Sequence, residues 1–80
     1  MTEPSTLVDE VLETRRLLAR ARVIRRGADV TQERMATELG VDRTTLSRWE
    51  SGAALPAGRA RERYVDLLRS LEQLVVPEAS

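Results

Sequence analysis

Apolar residues recur at intervals of three and four along most of the chain, the spacing of a helix that buries one face. Leu7, Val8, Val11, Leu12, Leu18, Ala21 and Ile24 form the first such stripe. It predicts one long helix to about Arg26, ended by Gly27–Asp29, with Ser5 or Thr6 as its N-cap. The stripe slips near Thr14–Arg15, which marks the place for a break. Next, Thr31 caps a helix of about residues 32–39 that stops at Gly40, and Asp42 caps one of about 43–51 that stops at Gly52. Ala53–Gly58 reads as a loop, and a last helix runs from about Arg59 to Val75, before Pro77. No segment alternates as a strand does. The expectation is therefore an all-α, compact four- or five-helix bundle. One domain spans residues 7–76, with 1–6 and 77–80 disordered.

Length and composition narrow the chemistry. Eighty residues suffice for one small domain with a marginal core, which self-association would reinforce. The chain has no Cys and no His. A disulfide framework, a thiolate metal site and the commonest general base are thereby excluded, so neither a catalytic site nor a cofactor is expected. No apolar run is long enough to cross a membrane, and the acidic start lacks the basic n-region of a signal peptide, so a cytoplasmic location follows by default.

Thirteen basic and thirteen acidic residues cancel. Their placement does not. Glu3, Asp9, Glu10 and Glu13 precede an acid-free block of Arg15, Arg16, Arg20, Arg22, Arg25 and Arg26, and Arg59, Arg61 and Arg63 form a second cluster. A polyanion responds to the local surface rather than the sum. That every basic residue is Arg reads most simply as the codon bias of a GC-rich genome.

Thr31–Gly52, TQERMATELGVDRTTLSRWESG, carries the most specific signal. Met35 and Leu39 share one helix face, Leu46 and Trp49 another, and Val41 lies between them. Ala36 permits a close crossing, and Gly40 permits the turn. Together these positions form a helix-turn-helix, whose second helix enters the DNA major groove. The stretch resembles the phage repressor/Cro-like (Xre-type) helix-turn-helix family. The resemblance covers about residues 21–71 and is closest at SRWESG. It implies a lambda-repressor-like domain that is usually dimeric and regulates transcription.

The resemblance also assigns positions. Gln32 matches the glutamine that opens the motif's first helix, where it touches phosphate and supports a base contact. Arg43, Thr44, Ser47 and Arg48 match the outward face of the recognition helix, and Thr45 a phosphate-contacting position. These six are the candidate DNA-binding residues. Arg bridges guanine O6 and N7, so Arg43 and Arg48 imply G·C readout. Arg25 and Glu50 match a structural ion pair between the first helix and the recognition helix. Asp29 stands where relatives often carry Gly, and Asp tolerates positive φ better than most residues.

Outside the motif, Ala60, Tyr64, Leu67, Leu71 and Leu74 trace a stripe broadened by Val65, Leu68 and Val75. It serves either as core or as a homodimer interface shared with Leu7 and Val11. A two-fold dimer would set two recognition helices about 34 Å apart on a palindromic site of double-stranded DNA. Arg15, Arg16, Arg20 and Arg22 are candidates for phosphate contact. Arg59 and Arg61, at the unfavourable end of a helix dipole, hint at an anionic partner. The leading expectation is a small dimeric repressor of its own or a neighbouring promoter, of the kind found in phages and mobile elements. The alternative is an antitoxin-type module whose terminal helices also bind a partner protein, a toxin or an antirepressor.

Overall fold

The computed structural model describes residues 6–75. Five helices follow one another: α1 (Thr6–Ala19), α2 (Ala21–Gly27), α3 (Gln32–Leu39), α4 (Arg43–Ser51) and α5 (Gly58–Val75). Thr6 belongs to α1 rather than to a disordered leader. The expected disorder of residues 1–5 and 77–80, and Ser5 as a cap, lie outside the described residues.

Local chemistry sets the boundaries of the middle helices. The Thr31 hydroxyl accepts from Arg34 N–H at 3.1 Å, and the Asp42 carboxylate accepts from Thr45 N–H at 2.8 Å. Each satisfies one of the donors that a helix start leaves open. Gly40, at φ 74°, closes α3. There Val41 N–H returns to Ala36 C=O and Gly40 N–H to Thr37 C=O, a Schellman arrangement. Asp29 closes α2 in the same way at φ 62°, with Val30 N–H on Arg25 C=O and Asp29 N–H on Arg26 C=O. The aspartate thus adopts the left-handed conformation that glycine would adopt at lower cost.

The first helix breaks at Arg20, not near Thr14–Arg15. No Gly or Pro marks the place. Arg20 N–H bonds Leu17 C=O at 3.0 Å, a 3₁₀ turn, which strands the carbonyl of Arg16. The Arg20 guanidinium then donates back to that carbonyl at 3.2 Å and grips Glu72 of α5 at 2.6 Å. One side chain caps the break and ties it to the far end of the chain. The slip in the apolar stripe has another cause: Leu17 is the buried residue of α1, while Leu7, Val8, Val11 and Leu12 stay exposed.

The core gathers one face from each helix. Leu17, Ala21, Ile24, Met35, Ala36, Leu39, Leu46, Tyr64, Val65 and Leu68 are buried, with Val41, Trp49, Leu67 and Leu71 packed around them. The α5 stripe is therefore mostly core, and Leu74 is left 79% exposed. Trp49 and Tyr64 meet with ring centroids 5.1 Å apart, joining α4 to α5. The Tyr64 hydroxyl is buried and has no hydrogen-bond partner among the described residues. Burial pushes its pKa up, with the Glu50 charge adding to the effect.

Two substitutions separate these contributions in urea denaturation. Leu68→Ala empties a fully buried site and should cost about 2–5 kcal/mol. Tyr64→Phe removes a hydroxyl that was desolvated without a bond, so it should be neutral or stabilising.

Candidate nucleic-acid interface

The site is built on the α3–turn–α4 unit, held from beneath by α2. At its centre is the Glu50 side chain, fully buried beside Arg25, itself 7% exposed. Arg25 Nε donates to Glu50 Oε2 at 2.5 Å and Nη2 to Oε1 at 3.1 Å, the bidentate fork that suits guanidinium and carboxylate. Its Nη1 donates to Val30 C=O at 2.7 Å, locking the turn between α2 and α3. Gln32 Nε2 donates to Glu50 Oε1 at 3.0 Å, and Arg22 Nε approaches the same oxygen at 3.5 Å. The ion pair expected between Arg25 and Glu50 is present.

Burial alone would push the Glu50 pKa up. The hydrogen bonds from Arg25, Gln32 and Arg22, with the Arg25 charge, outweigh it and hold the carboxyl below its ordinary 4.5. A depressed carboxylate stabilises the fold above its unfolded value, and that contribution is lost as pH falls through the folded value.

Above this base, Arg43, Thr44 and Arg48 stand exposed on α4, and Ser47 is half-buried among them. The four share one face of α4, turned away from Trp49. Thr45 is half-buried at the helix start, where it hydrogen-bonds Asp42 and draws that carboxyl below its ordinary range. Gln32 lies at the base rather than on the open face. With its amide N–H on Glu50, it still borders a polar concavity of about 690 Å³ with Arg22, Arg26 and Arg43.

The structure therefore brings Gln32 and Arg43 together, sets Thr44, Ser47 and Arg48 on the adjoining open face, and keeps Thr45 at the cap. Arg26 completes the concavity. Nothing in the basic block sets Arg26 apart by residue type, but its four-residue spacing from Arg22 places both on one face. Other arginines serve elsewhere. Arg20 is paired with Glu72. Arg63 donates to Glu38 C=O at 2.9 Å, at the end of α3. Arg61 borders a groove beside α1 rather than this concavity.

Replacing Glu50 by Gln would leave Arg25 buried without a counter-charge and should cost about 3 kcal/mol in thermal or urea unfolding at neutral pH. The difference between wild type and Glu50→Gln should hold steady above pH 4.5 and shrink as pH falls below it. A difference independent of pH would remove Glu50 from this role.

A family model described as a helix-turn-helix domain matches residues 16–75. No curated protein and no solved structure matches the chain. The matched span runs from the second half of α1 through α5 and includes every residue of the Glu50 cluster. The chain belongs to the helix-turn-helix domain family, for which DNA is the implied partner and catalysis is not typical.

Proposed function

We propose that the chain is a sequence-specific transcriptional regulator of the Cro-like (Xre-type) kind, a small dimeric repressor acting on its own or a neighbouring promoter. In this reading α4 lies in the major groove of a palindromic operator. Arg43 and Arg48 each bridge a guanine, Thr44 and Ser47 contact neighbouring base edges, and Thr45 and Gln32 lie against phosphates. Arg22 and Arg26 extend the phosphate contacts along the flanking backbone. The observation that carries the reading is the pairing of an open, polar α4 face with the Arg22–Arg26–Arg43 concavity beside it. The net charge of zero is no obstacle: Asp9, Glu10 and Glu13 lie on α1, outside that concavity, and Glu33 is the acid among its lining residues, against Arg22, Arg25, Arg26 and Arg43.

The antitoxin-type reading draws on a different observation, the exposed apolar side chains of α1. They would suit a partner protein as well as a second copy. The charge pattern of α1 favours the copy.

The DNA reading is tested by binding to duplexes from the chain's own upstream region and to scrambled duplexes, across a range of salt. Tighter binding to the native duplex is expected; equal binding to both would refute it. Arg43→Ala or Arg48→Ala should cost about 1–3 kcal/mol on the native duplex and relax preference at one base pair. Arg22→Ala or Arg26→Ala should weaken binding to all duplexes alike and lower the salt slope by about one.

A further inference from the structure

The N-terminal half of α1 has an apolar face that the core does not use. Leu7 is 68% exposed, Val11 41% and Leu12 43%. Leu7 and Val11, four apart, form one line along the helix; Val8 and Leu12 form the next. Leu55, 76% exposed in the loop before α5, borders a groove of about 270 Å³ together with Leu7 and Val11. Glu10, Arg15 and Arg61 also line the groove, so the apolar residues form a strip edged by charge, of a kind that marks interaction sites on small proteins.

The charges on the same helix say what covers it. Asp9 and Glu10 lie in its first half, Glu13 just past the middle, and Arg15 and Arg16 beyond it. Among the described residues none of the five forms an ion pair, whereas Arg20 is already held by Glu72. Asp9 and Arg16 are seven apart, two helical turns, so they project on nearly the same flank of the strip. Two α1 helices laid parallel would set acid level with acid and base level with base. Laid antiparallel about an axis between residues 12 and 13, each sets Asp9 beside Arg16 of the other, twice over. Opposed helix dipoles favour the same arrangement. Apart from Glu13, which falls near its own copy at the axis, the pattern is complementary to its own reverse.

We propose that this strip is a self-association surface, closed by antiparallel pairing with α1 of a second copy, with the two Leu12 side chains meeting near the two-fold axis. The contact supplies the second copy that the dimeric reading assumes. The α4 residues Arg43, Thr44, Ser47 and Arg48 do not border the groove. One helix strip is smaller than the roughly 800 Å² per partner of a standard interface, so the dimer is weak and dissociates on dilution.

The test is sedimentation equilibrium of the full chain without DNA, so that its failure leaves the DNA-binding reading standing. A concentration-dependent monomer–dimer equilibrium is expected, and Leu12→Glu should abolish it while circular dichroism shows the helices intact. Asp9→Arg alone and Arg16→Asp alone should each weaken the dimer by about tenfold, since each creates two like-charge contacts. Asp9→Arg with Arg16→Asp should restore it. A chain that stays monomeric at millimolar concentration would overturn the proposal. So would a dimer that Leu74→Glu dissolves and Leu12→Glu does not, or one that Asp9→Arg strengthens, as parallel pairing would require. Failure of the double exchange to restore pairing would overturn the antiparallel register.

Discussion

A single buried carboxylate organises this domain. Glu50 sits at the end of α4, yet its two oxygens take donors from α2 through Arg25 and Arg22, and from the start of α3 through Gln32. Those two helices fix the attitude of α4. Removing both charges from water is costly, and the pair is favourable only because the fork geometry is good and the remaining hydrogen-bonding capacity is used. Here it is used: Arg25 Nη1 has Val30 C=O, and Glu50 Oε1 has Gln32. The apolar contacts beneath, Met35, Ala36, Leu39 and Leu46, supply cohesion without much direction. The ion pair supplies direction, because its hydrogen bonds tolerate little rotation.

Much of this was legible in the chain. The bounds of α3 and α4 follow from Thr31, Gly40, Asp42 and Gly52, four residues whose capping chemistry is local. The tolerance of Asp29 for positive φ was likewise a property of one side chain. What the sequence concealed was long-range. The break at Arg20 is tied to Glu72, fifty-two residues away, and no local breaker announces it. The slip at Thr14–Arg15 resembled a break because an unpacked half-helix loses its core-facing register without losing its helicity.

The candidate interface was readable in part for the same reason. Arg43, Thr44, Ser47 and Arg48 lie within two turns of one helix, so their shared face follows from helical geometry alone. Gln32 was legible as a position but not as a hydrogen-bonding state. Its tie to Glu50 depends on where α4 ends relative to α3. With that amide anchored, Gln32 presents its remaining polar atoms from a fixed place beside Arg43, which links the stability of the fold to the shape of the surface it offers. Arg26 became visible only when α2 was seen to flank the same concavity.

In the proposed reading α4, aimed by Glu50, carries the residues that read DNA. The most direct measurement is a set of intermolecular nuclear Overhauser contacts between the chain and a duplex chosen by binding-site selection. Contacts are expected from Arg43, Thr44, Ser47 and Arg48 to major-groove base protons, with the Gln32 side-chain amide perturbed alongside them. Contacts confined to α1 or α5, or a duplex that leaves the α4 signals unmoved, would contradict it.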